Sequence, residues 1–136
     1  LCESGGSILG FASAHRLRDQ QAYDWNAELS IYMAPAGKGR GLGARLYEAL
    51  LAVLKIQNVQ NVYGVIALPN ESSIGLHEAL GFHPSAVFKK TGFKKGKWHD
   101  VAWYEKHIGP HGQEPPPFIG MEELDEERVH SILKKA

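Results

Sequence analysis

Glu28-Leu29-Ser30-Ile31-Tyr32-Met33-Ala34-Pro35-Ala36-Gly37-Lys38-Gly39-Arg40-Gly41-Leu42-Gly43-Ala44-Arg45-Leu46 is the stretch from which the rest of the chain is read. Leu29, Ile31 and Met33 alternate as one face of a strand does, and Pro35 ends the run. A glycine-rich turn follows, and then a segment with Leu42, Leu46, Leu50 and Val53 on one face, which predicts a helix over 41–56. A strand that feeds small residues into a helix N-terminus leaves several backbone N–H groups unpaired and aimed at one point. The helix dipole adds about half a positive charge there. Such a place binds phosphate.

Two familiar phosphate-binding patterns fail here. Gly37-Lys38 is followed by Gly39, where a P-loop needs Ser or Thr for the metal. Gly39, Gly41 and Ala44 formally meet G-x-G-x-x-G/A, which also calls for an acid about 20 residues on to hold a ribose. The chain there reads Gln57-Asn58-Val59-Gln60-Asn61, with no acid. A third pattern, Q/R-x-x-G-x-G/A, is met by Gly41 and Gly43, with Lys38 where Gln or Arg is usual.

Further motifs decide between them. Val62-Tyr63-Gly64-Val65-Ile66-Ala67-Leu68 is of strand type. It is followed by Pro69-Asn70, a short helix over 71–80, and a Gly81-Phe82 stop. Downstream stands Lys90-Thr91-Gly92-Phe93-Lys94-Lys95-Gly96-Lys97-Trp98-His99-Asp100-Val101, and upstream Ala22-Tyr23-Asp24-Trp25 and Ala27-Glu28. Taken together, over about residues 1–108, these motifs resemble the GNAT acyltransferases, and within them the phosphinothricin N-acetyltransferase branch. His77 departs from the pattern, standing where most of the superfamily has a tyrosine.

The resemblance implies an α/β fold, a central mixed and mostly antiparallel sheet flanked by helices. Period and punctuation place a hairpin at 1–4 and 8–16, strands at 27–34, 62–68, 82–91 and 97–107, and the two helices already named. Residues 1–108 form the expected domain. A Pro-rich linker and a helical tail fill 109–136, the helix spanning 120–135. Family members carry a strand and one or two helices ahead of the first hairpin, so that section is expected to be missing from the chain as given.

The implied chemistry is transfer of the acetyl group of acetyl-CoA, the co-substrate, to the primary amine of a small amino-acid-like compound. Phosphinothricin and methionine sulfone or sulfoximine are the type. An amine near pKa 10 arrives protonated, so the site needs a base, donors for the oxyanion and a proton for the thiolate. By resemblance, Ile31, Tyr32 and Met33 turn backbone N–H groups to the thioester. Lys38, Gly39, Arg40, Gly41, Leu42, Gly43 and Ala44 hold the pyrophosphate, and Asn70 bonds the pantetheine arm. Glu28 is the candidate base. His77 is either the acid for the thiolate or a residue packed beside the cofactor. Tyr23, Trp25, His99 and Arg18 are candidate acceptor contacts, with Arg16 an alternative cation for the carboxylate. Attack is expected to be direct, in a ternary complex. The alternatives are acetylation of a protein N-terminus or a polyamine, and a non-catalytic CoA-binding sensor.

Composition narrows the setting. Lys plus Arg equals Asp plus Glu at 15 each, so no net field draws nucleic acid or an anionic membrane, and neither is an expected partner. One cysteine, Cys2, rules out an internal disulfide framework and fits a cytoplasmic protein. Seven histidines come without partnering cysteines, and no metal is expected. A homodimer is the expected assembly from the resemblance.

Overall fold

A computed structural model describes residues 1–135 of the chain, without the side chains of Ser4 and Lys135; Ala136, the last residue of the expected tail, lies outside them. Six strands form one sheet: β1 (Cys2–Ser4), β2 (Ser7–Arg16), β3 (Asn26–Met33), β4 (Asn61–Ala67), β5 (His83–Lys94) and β6 (Lys97–His107), in the order β1-β2-β3-β4-β6-β5. Three helices accompany it: α1 (Leu42–Ile56), α2 (Glu71–Ala79) and α3 (Glu126–Lys135). Gly5 and Gly6 take φ of 57° and 82°, which lets β1 fold straight back onto β2. The β3–β4 pair is parallel and is joined by the α1 crossover; every other pairing is antiparallel.

That parallel pair is short. It runs from Asn26↔Asn61 to Leu29↔Gly64 and then stops. β3 stays paired with β2 as far as Met33↔Gly10, and β4 with β6 as far as Ala67↔Val101. Residues 30–33 and 65–67 therefore face each other without bonding, as the two arms of a V. Its vertex lies at Leu29 and Gly64.

One face of the sheet is the core. Leu29, Val62, Ile66, Ala102 and Tyr104 pack there with Tyr47 and Leu54 of α1 and with Phe82. Burying each large aliphatic side chain contributes about 1.5–3 kcal/mol. The α1 stripe differs from the expected one. Tyr47, Ala49, Val53 and Leu54 are the buried residues and Leu42, Leu46 and Leu50 are partly buried; all of these but Tyr47 line a cavity of about 920 Å³ between α1, β2 and the C-terminal segment. The opposite face of the sheet is open. It carries Glu28, Tyr32, Tyr63, Phe88 and Trp103, and Tyr32 and Phe88 remain about half exposed.

The C-terminal segment is built into the domain. Trp25 Nε1 donates to the Pro116 carbonyl at 2.7 Å, and Asn58 Nδ2 to that of Pro117 at 2.9 Å. Gln57 Nε2 donates to the Ile119 carbonyl while the Ile119 N–H returns a bond to Gln57, both at 3.0 Å. The prolines bar regular structure, so polar side chains satisfy this backbone instead. The expected helix over 120–135 is broken into a 3₁₀ turn at Met121–Glu123 and α3. Asp125 explains the break: its carboxylate accepts from the Glu127 N–H at 3.0 Å and caps the helix there.

Candidate active site

The glycine turn closes the open end of the V. Gly39 and Gly41 hold φ of 74° and 72°, a left-handed conformation that costs other L-residues roughly 1–2 kcal/mol. A Cβ on either would meet nothing within 4 Å, so backbone conformation and not crowding calls for glycine. Gly41 is the N-cap of α1 and supplies no side chain to its first N–H groups. The first turn holds no acid, and Lys38 and Arg40 flank it, both exposed. Unsatisfied donors, a dipole end and two cations meet at Lys38–Ala44, an arrangement that takes a diphosphate. Gly43 lies against Ile31 and Leu76, which sets the start of α1 directly over the arm of the V.

Backbone direction in β3 follows from its ladder. Ala34 N–H donates to Leu9 at 2.8 Å, so Tyr32, Ser30 and Glu28 bond towards β2. Ile31 and Met33 point the other way, and their N–H and C=O groups open into the cleft. Tyr32 thus sits inside the expected trio with its amide turned away from the cleft, and only its side chain is free. Asn70 stands past the end of β4. Its Oδ1 accepts from the Ser73 N–H at 3.1 Å as the cap of α2. Its Nδ2 makes no hydrogen bond among the described residues.

Glu28 lies one residue before the vertex, on the open face. Its carboxylate is 3.1 Å from His15 Nε2, and Tyr63 of β4 is directly beside it in the parallel ladder. Tyr63 is held as a neutral phenol, its pKa raised first by burial and then by the charge and hydrogen bond of Glu105. Glu105 in turn meets His107 Nε2 at 3.3 Å and His83 Nε2 at 3.9 Å. His15, Tyr63 and Glu105 are residues that sequence reasoning missed. Knowledge of the strand registers would have revealed them, because each faces its neighbour across a ladder. His107 and His111 stand four residues apart with rings 4.5 Å apart. No group of three or more metal-ligating side chains gathers among the described residues.

His77 is placed differently from an acid. It is 2 % exposed, with its ring packed among Tyr47, Phe82 and Tyr104 and against the backbone of Gly64 at the vertex. Its Nδ1 is 2.7 Å from the Ser73 carbonyl, which only accepts, so Nδ1 carries the proton. Nε2 is then a bare lone pair, buried without a partner. Burial lowers the pKa, opposed in part by the Ser73 bond. The ring is neutral and has no Nε2 proton to give, so of the two roles open to His77 the structure favours packing beside the cleft.

Sign and window follow from that shift. The folded pKa lies below the ordinary 6.5, so His77 adds stability above about pH 6.5 that is lost as pH falls through the folded value. Denaturant unfolding should show stability dropping from pH 7 to pH 5, with a shallower drop in His77→Phe. Gly64→Ala should cost about 1–3 kcal/mol in the same measurement, because the new Cβ collides with the His77 ring.

The expected acceptor residues do not form one group. Arg18 lies over the Tyr23 ring, 5.4 Å from its centroid, in the loop that enters β3 near Glu28. Arg16 is 3.6 Å from Asp24. Trp25 spends its indole N–H on Pro116, so it holds the C-terminal segment. His99 is bound through Nδ1 to the Leu68 carbonyl at 2.8 Å, beyond the open end of the V. It lies six residues along β6 from Glu105 in the Glu28 row, roughly 20 Å away at strand rise. A long β6 carries it off to the open end of the V.

Known proteins share this geometry. The family profile described as "Acetyltransferase (GNAT) domain" matches residues 1–103. The phosphinothricin N-acetyltransferase of Streptomyces viridochromogenes is 37% identical over 106 residues, which are 78% of this chain and 58% of that protein. The L-methionine sulfoximine/L-methionine sulfone acetyltransferase of Pseudomonas aeruginosa is 32% identical over 79% of this chain and 63% of its own length. A phosphinothricin acetyltransferase from Sinorhizobium meliloti, solved with acetyl-CoA, superposes with a TM-score of 0.77 at 35% identity, covering 87% of this chain and 63% of that one. The chain therefore spans about three fifths of the length of these relatives.

Proposed function

This chain belongs to the GNAT acetyltransferase family, and we propose that it transfers the acetyl group of acetyl-CoA to the primary amine of a small amino-acid-like compound. The observation that carries the reading is the V between β3 and β4 with the glycine turn at its open end. Lys38–Ala44 would hold the pyrophosphate. Ile31 and Met33 would present their amides, and Asn70 its Nδ2, to the pantetheine and the thioester. Glu28, beside the vertex, would take the ammonium proton so that the amine attacks directly. A thiolate of ordinary basicity, near pKa 8.5, takes its proton from water without a dedicated acid, which suits a neutral His77.

The relatives named above for phosphinothricin and for methionine sulfoximine or sulfone support an acceptor of that class. Arg18, stacked on Tyr23 in the loop between β2 and β3, would meet its carboxylate. No helix among the described residues is long and apolar enough to cross a membrane. The single cysteine supports a cytoplasmic setting, and the resemblance to the phosphinothricin N-acetyltransferase branch supports a homodimer. Thiol release from acetyl-CoA across a panel of amino acids, their sulfone, sulfoximine and phosphinic analogues, polyamines and N-terminal peptides tests the reading. Turnover of the tetrahedral amino-acid analogues is the expected result. Turnover of peptides alone would reassign the acceptor, and tight CoA binding without turnover would make the protein a sensor.

A further inference from the structure

Every acetyl transfer to an alkylammonium removes two protons from nitrogen. One ends on sulfur, and the other has to reach solvent. Glu28 lies one residue before the vertex and its side chain is 27% exposed, whereas His15, 3.1 Å away, is 57% exposed. The two are directly opposite in the β2–β3 ladder and fall on its bonded rungs, as Ala34 and Leu9 do. Their side chains therefore share a face at a spacing fixed by backbone hydrogen bonds, not by chance rotamers.

Resting on the acetyl-transfer reading, we propose that His15 is a positioning residue for Glu28 that takes up the proton Glu28 acquires and passes it outward. The N–H bond of the ammonium breaks as an O–H bond forms on Glu28. The new O–H then donates to the lone pair of His15 Nε2 and its proton moves there, the exposed ring releases one from Nδ1 to water, and exchange with solvent returns the ring to its Nδ1–H form before the next cycle. No oxidant or further reactant is needed. The groups around the pair do not compete with it. Tyr63, beside Glu28 on β4, stays a neutral phenol, and Arg16 is matched by Asp24 at 3.6 Å. Glu105, one strand further, has His107 and His83 as its own partners.

The test uses the full chain, the amine turned over best by the wild type, and dilute buffer free of imidazole. His15→Ala should lower kcat roughly tenfold, less than the loss of a direct acid–base group, with KM for acetyl-CoA unchanged within about twofold. Millimolar imidazole should restore the rate of His15→Ala and leave Glu28→Gln untouched. A wild-type kcat in His15→Ala, or a loss that imidazole does not relieve, overturns the relay. A second measurement needs no substrate: the ring nitrogen resonances of His15 should move in Glu28→Gln, and if they stay in place the pair does not form. A wild type that acetylates no amine overturns the acetyl-transfer reading itself, and shows this before any substitution is made.

Discussion

Glu28→Gln should lower kcat by about 10²–10⁴-fold while leaving the affinity for acetyl-CoA nearly unchanged. The amide keeps the size and hydrogen-bonding reach of the carboxylate but takes no proton at neutral pH. Glu28 is on the face of β3 away from the core, one residue before the strands part, so its loss leaves the packing intact. It is also at the vertex end of β3, whereas Lys38–Ala44 follows the far end of that strand, which is why binding and turnover should separate. Steady-state kinetics with acetyl-CoA varied at saturating amine, together with calorimetric titration of CoA, measures both quantities. An unaltered kcat near neutral pH would remove Glu28 from the mechanism.

Gly41→Asp should produce the converse pattern. Position 41 has a left-handed φ of 72° and open space where a Cβ would go. Aspartate is among the few side chains that visit this conformation, so the turn should survive. Its carboxylate would then stand at the N-terminus of α1, beside the donors and the dipole end that a diphosphate requires. The expected outcome is a rise in the CoA dissociation constant on the order of 10²-fold, with a melting temperature within a few degrees of wild type. Tight CoA binding by this variant would move the phosphate site away from the turn. A collapse in stability would instead mean that the turn cannot tolerate a side chain, and Gly41→Asn, isosteric and uncharged, separates the two effects.

Much of this architecture was legible in the residues. Alternation at Leu29, Ile31 and Met33 marked β3, and the glycines announced the turn. The order of strands and helices followed from period and punctuation. What the chain did not disclose depends on register and on distant contacts. His15 was one histidine among seven until the β2–β3 ladder set it opposite Glu28. His99 looked like a companion of Tyr23 and Trp25, yet the length of β6 places it at the other end of the sheet. Gln57 and Asn58 entered only as positions lacking an acid, and Trp25 as a candidate acceptor contact, until the proline segment was found hydrogen-bonded to them. His77 kept two possible roles because a tautomer is fixed by what its ring touches, here the Ser73 carbonyl.

Between its two halves the sheet is stitched by the rungs from Asn26↔Asn61 to Leu29↔Gly64 and no further. β1–β2–β3 on one side and β4–β6–β5 on the other are each continuous, so the seam is where the molecule yields most readily. A ligand threaded into that seam would bond its own amides to both margins, acting as a missing strand. On the proposed function that ligand is the acyl donor, which would then brace the two halves of the sheet against each other.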